Sequence, residues 1–288
     1  MRYGTAAPME GRRVLITGAA RGIGAALARR LHERGATVAL LGLEPDLLAD
    51  VARDCGNAPW LECDVGDGAA LRESVDALAA VAGGLDVVVA NAGIARQWPL
   101  LRGDVEVLET TLRVNTLGVC HTIQAAARHV ARPGGYVLAI SSLAAAVHLP
   151  LLGAYSASKA AVEALADTAR LELAPTGARV GIAYFAELAT DMTTRGFDTA
   201  AAAAFFGPGR TISKVTPLHA AINALERGIR RRAARICTPR WAAPVLTARM
   251  PVQRLLAVRL RGTRLREMLA IAETEEVGFT TAQPERDT

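Results

Sequence analysis

The feature that most constrains the fold is a regular alternation of short apolar runs with amphipathic stretches of helical length. Most of the runs are continuously apolar, as expected for parallel strands that are covered on both faces. We predict strands over residues 13–17, 37–41, 59–63, 85–90, 136–141 and 178–184, and helices that include 23–34, 69–81 and 105–130. This strand–helix alternation predicts an α/β fold with a doubly wound parallel sheet.

The length of 288 residues suits one large α/β domain. We place this domain over residues 1–240, followed by an arginine-rich helical extension with an acidic tail over 241–288. The pattern becomes irregular after about residue 190. There, the alanine-rich stretch 199–206 and the following Gly207-Pro208-Gly209 predict a helix and loop within a substrate lid over about 187–215.

Several protein classes are disfavoured by the composition. The four cysteines are scattered and form no Cys-x-x-Cys pair, which predicts reduced thiols and no metal site. Residues 1–11 hold no apolar core of a signal peptide, and no apolar run approaches the ~20 residues of a membrane-spanning helix. We therefore expect a cytoplasmic protein.

A glycine-rich turn follows the first predicted strand and opens a helix, with Gly18, Gly22 and Gly24 in Gly-x-x-x-Gly-x-Gly spacing and Arg21 and Ile23 between them. Glycines permit a tight turn and let backbone N–H groups approach a pyrophosphate at the helix N-terminus. The turn taken alone is equally compatible with a strand–helix joint that binds nothing.

Polar residues end two neighbouring strands. Asp64-Val65 follow the third strand, and Asn91-Ala92-Gly93 follow the fourth. Open parallel sheets bind ligands at the carboxyl ends of their strands, so both groups are candidates for cofactor contacts. The alternative is that Asp64 caps the next helix and Asn91 to Gly93 make an ordinary turn.

Tyr155 and Lys159 lie four residues apart in a helical pattern, which puts their side chains on one face. A nearby ammonium stabilises a phenolate and lowers a tyrosine pKa, which makes the phenol a usable acid/base. Ser142 closes the fifth strand, where its hydroxyl can donate to a developing oxyanion. Lys159 is one of only two lysines among 33 basic residues, although a half-buried tyrosine with a snorkelling lysine remains the alternative.

The combination resembles the short-chain dehydrogenase/reductase family over roughly residues 10–192. The matching features, in the order typical of that family, are the glycine motif at 17–24, Asp64-Val65, Asn91-Ala92-Gly93, Asn115, Ser142, and Tyr155 with Lys159. Ser142 precedes Tyr155 by thirteen residues, as in many members.

The resemblance implies a Rossmann-type fold, an NAD(P) cofactor and a catalytic set of Ser142, Tyr155, Lys159 and Asn115. Tyr155 would exchange a proton with the substrate oxygen while Ser142 orients that oxygen. Lys159 would bind the nicotinamide ribose and lower the pKa of Tyr155, and Asn115 would hold a water that links Lys159 to solvent. Enoyl reduction, epimerisation and a non-catalytic cofactor-sensing role remain alternatives to alcohol–ketone interconversion.

The chain departs from the family pattern after the sixth strand, where many members carry Pro-Gly and this chain has Phe185-Ala186. Thr190, with Leu188 beside it, remains available for the nicotinamide carboxamide. Phe185 and Glu187 are placed near the substrate, unless Phe185 only packs against the sheet edge.

Cofactor choice depends on the end of the second strand, where NAD-preferring relatives usually have Asp and NADP-preferring ones often have a following Arg. Gly42 and Leu43 take those positions here, and Glu44 comes next. Glu44 can reach the ribose and would oppose a 2′-phosphate, whereas Arg21 would attract one. We favour NAD, with NADP as the alternative.

The stretch 143–153 is nearly free of charge. If it lines the pocket, as in the family, the substrate has an apolar body, such as a secondary alcohol or ketone on a lipid, steroid, terpenoid or aromatic skeleton. His148 within this stretch is interpreted as a surface or turn residue in preference to a substrate contact.

Residues 227–266 contain twelve arginines and no Asp, Glu or Lys, so this segment has a net charge of +12. Because the whole chain has a net charge of +5, the remaining residues have a net charge of −7. Apolar residues within 252–271 can share one helix face, although Gly262 interrupts it. We expect this segment to dock within a homodimer or homotetramer formed, by family analogy, through the helices of Asn115 and Tyr155. A peripheral membrane contact or an acyl-carrier contact is the alternative. No reading motif for nucleic acid accompanies the charge.

Overall fold

The computed structural model describes residues 8–193, 199–207 and 214–284. Within these residues seven strands form one parallel sheet in the order β3-β2-β1-β4-β5-β6-β7. The strands are β1 (Arg13–Thr17), β2 (Thr37–Gly42), β3 (Trp60–Glu62), β4 (Val87–Ala90), β5 (Tyr136–Ile140), β6 (Arg179–Phe185) and β7 (Arg235–Thr238). The predicted doubly wound parallel sheet is confirmed.

Helices cover both faces of this sheet. One face packs against α1 (Gly22–Glu33), α2 (Pro45–Asp54) and α8 (Leu218–Arg231). The other packs against α3 (Gly68–Ala82), α5 (Gly118–Val130) and α6 (Gly153–Leu173). The residues of β4 and β5 are all buried between these layers, which explains why their sequences are continuously apolar.

The predicted helix over 105–130 is interrupted. It consists of α4 (Val105–Leu112), a π-helical segment at Arg113–Leu117 and α5. Asn115 lies at the centre of the π-helical segment and is fully buried. Its side chain bonds to the backbone of Ile94 and to Ser158, so tertiary hydrogen bonds accompany the extra residue in the turn.

The strand β7 was not predicted. It pairs with β6 over four residues, with Ile182 opposite Arg235 and Phe185 opposite Thr238. Its sequence has polar residues at both ends and lies inside the arginine-rich segment, so hydropathy gave no signal. The predicted ends of β1 to β6 differ from the observed ends by at most two residues.

The region after β6 contains α7 (Ala200–Phe206), within the predicted lid, and α9 (Ala242–Thr247), α10 (Arg249–Arg259) and α11 (Thr263–Ala272) after β7. Gly262, at φ +112°, separates α10 from α11, so the predicted amphipathic stretch is two helices. Residues 194–198 and 208–213 of the lid, including Pro208 and Gly209, lie outside the described residues. In the described part of the chain no helix is long and apolar enough to span a membrane.

Candidate active site

A single cleft at the carboxyl edge of the sheet is lined by nearly all the predicted cofactor residues. These are Gly18, Arg21, Gly22, Ile23, Glu44, Asp64, Val65, Asn91, Ala92, Gly93, Tyr155, Lys159, Leu188 and Thr190. Gly24, Ser142 and Asn115 do not line it. Residues that are far apart in sequence therefore meet where an open parallel sheet binds its ligand.

The glycines of the first turn have different structural roles. Gly18 (φ +64°) and Gly22 (φ +56°) adopt left-handed backbone conformations that favour glycine. A Cβ on Gly22 would project into open space, whereas one on Gly24 would lie 2.1 Å from the Gly18 carbonyl oxygen. Gly24 therefore lets the glycine turn pack closely on α1. Gly22 has no side chain that would project from the turn into the open space beside it.

Thr17 and Asn91 fasten the glycine turn to the end of β4. The Thr17 hydroxyl accepts from the backbone N–H of Asn91 at 3.0 Å and of Ala92 at 3.2 Å. The Asn91 amide donates to the carbonyl oxygens of Thr17 at 2.9 Å and Gly18 at 3.1 Å. Thr17 was not predicted as a site residue. Its position at a strand end was the available signal.

The arrangement suits a dinucleotide. The open side of Gly22 lies at the N-terminus of α1, where unpaired N–H groups and the helix dipole favour phosphate. The cleft continues past Asn91 to Tyr155 and Lys159 in one direction and to Asp64 and Val65 in the other. The residues present therefore fit NAD(P) along the whole edge of the sheet.

Asp64 is engaged locally and does not cap the next helix. Its carboxylate accepts from the Gly66 N–H at 2.8 Å and from Arg113 Nη1 at 2.5 Å. The cap of α3 is Asp67, which accepts from the N–H groups of Ala69 and Ala70. The alternative interpretation of Asp64 as the helix cap is therefore wrong.

Two carboxylates face the Arg21 guanidinium at the mouth of the cleft. Arg21 Nε lies 3.2 Å from Glu44 Oε2, and Nη1 lies 3.9 Å from Asp191 Oδ2. The charge that would attract a 2′-phosphate is thus partly neutralised by neighbouring acids.

Tyr155 and Lys159 lie together in α6 as their spacing predicts, with the Lys159 ammonium 5.6 Å from the centroid of the Tyr155 ring. Lys159 is 3% exposed and donates to the Ile140 carbonyl at 3.0 Å. Burial lowers the pKa of Lys159 to about 8. Burial also raises the pKa of Tyr155 to about 12, opposed by a hydrogen bond with Ser142. The expected lowering of the Tyr155 pKa is thus not observed, because desolvation of the phenolate outweighs its favourable contacts.

Ser142 and Asn115 are held by hydrogen bonds to neighbouring residues. The Ser142 hydroxyl donates to the Phe185 carbonyl at 3.4 Å and accepts from the Ala144 N–H at 3.1 Å. The Asn115 amide donates to the Ile94 carbonyl at 2.9 Å and to Ser158 Oγ at 3.0 Å, and its oxygen accepts from the Ile94 N–H. A water relay at Asn115 stays a prediction.

Apolar side chains line part of the cleft, but they do not come from the predicted stretch 143–153. They include Ile94, Phe185, Leu188 and Met192. Phe185 both lines the cleft and packs in the core, so the two interpretations of this residue hold together. Within 143–153, Leu151 packs under α7 and α11.

His148, on the same stretch, is exposed, and its backbone N–H and carbonyl bond to the Gln253 side chain at 2.8 and 3.0 Å. The interpretation of His148 as a surface residue agrees with this position.

Three residues of the C-terminal tail line the cleft and were missed by sequence reasoning: Thr280, Thr281 and Gln283. No local pattern connects them with the glycine turn, which lies about 260 positions earlier in the chain. Only the folded arrangement brings them to the cofactor edge.

Comparison with known proteins agrees with this geometry. The family model described as short chain dehydrogenase matches residues 12–201. The chain is 40% identical over 171 residues to the cis-4-hydroxycyclohexanecarboxylate dehydrogenase of Sinomonas cyclohexanicum, covering 58% of this chain and 69% of that protein. It is 32% identical over 195 residues to the D-threitol dehydrogenase of Mycolicibacterium smegmatis, covering 66% and 75%.

Solved structures are similar as well. A short chain dehydrogenase from Burkholderia cenocepacia J2315, in complex with NADP, superposes with a TM-score of 0.71 at 31% identity. The match covers 80% of this chain and 97% of that one. The family match and the parallel sheet together show that this chain belongs to the short-chain dehydrogenase family and is an NAD(P)-dependent oxidoreductase acting on alcohol or carbonyl groups.

Proposed function

We propose that this enzyme interconverts a secondary alcohol and a ketone on a largely apolar substrate, with Tyr155 as the general acid/base. The observation that carries the proposal is the pairing of Tyr155 with Lys159 in a cleft that is partly lined by apolar side chains. By their names, the related dehydrogenases act on a hydroxycyclohexane carboxylate and on a polyol, so they do not indicate an apolar substrate. Our preference for a substrate with an apolar body rests on the apolar side chains that line the cleft.

Each side chain has a defined part in this proposal. Bound NAD(P) supplies the hydride acceptor or donor. Tyr155 gives a proton to the substrate oxygen or removes one, and Ser142, whose side chain is hydrogen-bonded with Tyr155, orients that oxygen. Lys159 brings a positive charge to the phenolate. Because the pKa of Tyr155 is raised to about 12, the phenol is protonated at neutral pH and can give its proton to a carbonyl oxygen.

Tyr155→Phe tests the assignment, since it keeps the aromatic ring and removes only the hydroxyl. We expect turnover to fall by about 10²–10⁴-fold, the usual worth of a general acid/base, while cofactor binding stays within about twofold. Turnover is measured by nicotinamide absorbance in a screen of apolar alcohols and ketones.

The matched control is Tyr184→Phe, because Tyr184 is a buried tyrosine of β6 that does not line the cleft. This variant should keep its turnover. Full activity in Tyr155→Phe on a substrate turned over by the unaltered enzyme would show that the assigned mechanism is wrong.

We further propose that NAD is preferred over NADP. The support is the contact of Glu44 with Arg21 at 3.2 Å, because a 2′-phosphate would meet the Glu44 carboxylate and compete with it for Arg21. Glu44→Gln should therefore shift the ratio of NADH to NADPH dissociation constants towards NADPH by about tenfold. Asp46→Asn, at an exposed position of α2, is the control and should leave the ratio unchanged. A strong NADPH preference in the unaltered enzyme would contradict the proposal.

We also propose that the protein is a homodimer or homotetramer in which the arginine-rich extension contacts another copy. The support is α10, which exposes Met250, Leu255 and Val258 and buries none of its residues. Light scattering measures the oligomeric state. Salt-sensitive co-sedimentation with anionic vesicles, or binding of an acyl carrier by a monomer, would instead favour the membrane or acyl-carrier alternative.

A further inference from the structure

The C-terminal residues Phe279 to Gln283, here called the tail strap, are fastened beside the end of β4. The Thr280 N–H donates to the Ala95 carbonyl at 3.0 Å, and the Ala95 N–H donates to Thr280 Oγ1 at 3.1 Å. Thr280 is only 5% exposed. The Phe279 ring lies under the Arg96 guanidinium at 5.4 Å and packs near Trp98. The strap therefore starts from a buried, doubly hydrogen-bonded anchor.

The middle of the tail strap is held by the glycine turn. Arg21 Nη2 donates to the Thr280 carbonyl at 2.6 Å and to the Thr281 hydroxyl. The same guanidinium contacts Glu44 through Nε. One side chain of the phosphate-binding turn thus bridges the end of β2 and the strap.

The far end of the tail strap reaches the region of Asp64. Gln283 Oε1 accepts from Arg113 Nη2 at 3.4 Å, and Arg113 Nη1 bonds to Asp64. The strap thus crosses the carboxyl edge of the sheet from the end of β4 towards the end of β3. It passes along the full length of the predicted dinucleotide path between Gly93 and Asp64.

The strap borders the cleft and does not fill it. Thr280, Thr281 and Gln283 line the same open space as Gly22 and Lys159. A segment that filled the site would remove that space from the glycine turn. Its attachments between Arg21 and Gln283 are side-chain hydrogen bonds, which open at lower cost than packed core does.

We propose that the tail strap is a gate, hinged on the Thr280–Ala95 anchor, that retains the dinucleotide: the cofactor enters and leaves when the contacts of Arg21 with Thr280 and Thr281 open, and it is held when they close. This inference rests on the dinucleotide-binding function of the same cleft. It assigns cofactor retention to Thr280, Thr281 and Gln283, outside the 12–201 region that matches the family. Closing segments of this kind commonly limit ligand release.

The test compares the full chain with a variant ending at Gly278 and with Thr280→Val, which keeps the side-chain shape and loses the acceptor for the Ala95 N–H. NADH fluorescence gives the dissociation constant, and stopped-flow displacement gives the dissociation rate constant. We expect the shortened chain to release NADH about tenfold faster and to bind it correspondingly more weakly, with about a threefold effect for Thr280→Val. Thr274→Val is the matched control, because Thr274 is exposed and does not line the cleft.

The possible results separate the gate from the enzyme function. Tighter NADH binding by the shortened chain would overturn the proposal, because the strap would then compete with the cofactor. Unchanged release rates in both variants would overturn it while leaving the dinucleotide function intact. Failure of the full chain to bind either NADH or NADPH would overturn both. Circular dichroism shows whether the shortened chain folds. If it does not fold, the NADH dissociation rate constant of Thr280→Val alone decides: faster release supports the gate, and unchanged release overturns it.

Discussion

The central sheet and the helix α10 are attached to the molecule in different ways. Every residue of β5 is buried between two helical layers, whereas no residue of α10 is buried. The helix α10 is held instead by polar contacts: Arg249 Nη2 bonds to Glu163 Oε1 at 2.7 Å, and Gln253 bonds to the backbone of His148. Apolar packing thus sets the geometry of the sheet that carries the candidate site, and a few hydrogen bonds set the position of α10.

The comparison predicts its largest effect at the centre of the sheet. Leu138 is fully buried in β5, between β4 and β6. Leu138→Ala should lower the free energy of unfolding by about 2–5 kcal/mol, because the lost apolar contacts leave a cavity that the sheet cannot close. Urea unfolding followed by circular dichroism measures the change. A fall in the free energy of unfolding of less than about 1 kcal/mol would mean that the sheet is no more rigidly packed than α10.

In the candidate catalytic site, the burial of the Lys159 ammonium destabilises the folded protein. The pKa of Lys159 is lowered from 10.5 to about 8, so its charged form is disfavoured in the folded protein. Lys159→Met should abolish turnover and raise the free energy of unfolding at pH 7 by about 3–4 kcal/mol, since the pKa falls by about 2.5 and one pKa unit corresponds to about 1.4 kcal/mol.

The pH dependence gives the sign of this effect. Below pH 8 both the folded and the unfolded enzyme carry the proton, and the full cost is present. Between about pH 8 and 10.5 the folded enzyme releases it first, so the unaltered protein gains stability and the difference from Lys159→Met closes. Lys214→Met, at an exposed lysine, should show no such difference. A difference in the free energy of unfolding between the unaltered protein and Lys159→Met that does not change with pH would contradict the lowered pKa of Lys159.

The smallest effect is expected on the extension. Leu255 is 65% exposed in α10, so Leu255→Ala should change the free energy of unfolding by less than about 0.5 kcal/mol. The measurement is the same urea titration, carried out at several protein concentrations. A loss of about 2 kcal/mol that depends on concentration would show that another copy covers this helix in solution, and the contrast with β5 would then disappear.

The parts of the fold that were predictable are those with a local signal. The strands β1 to β6 are visible in the sequence as apolar runs, and the spacing of Tyr155 and Lys159 places both on one helix face. The strand β7 lacks such a run because it has a single fully apolar side chain, Ile236, beside Cys237.

The features that could not be predicted depend on distant partners. The break in the helix around Asn115 accompanies its hydrogen bonds to Ile94 and Ser158, which lie 21 and 43 positions away. The raised pKa of Tyr155 follows from burial that only the assembled site creates. The docking of Thr280 on Ala95 spans 185 positions, and neither residue marks itself as part of a site.

The π-helical segment at Arg113–Leu117 acts as a phase shift within one continuous helical rod. Before it, α4 packs against α6, and after it, α5 packs against α3. Since each helical residue advances the rod by about 100°, one extra residue turns the apolar stripe from one neighbour to the next without a loop. Removing a single residue from this segment would therefore present the wrong side of α5 to the sheet, so natural length variation should avoid this turn.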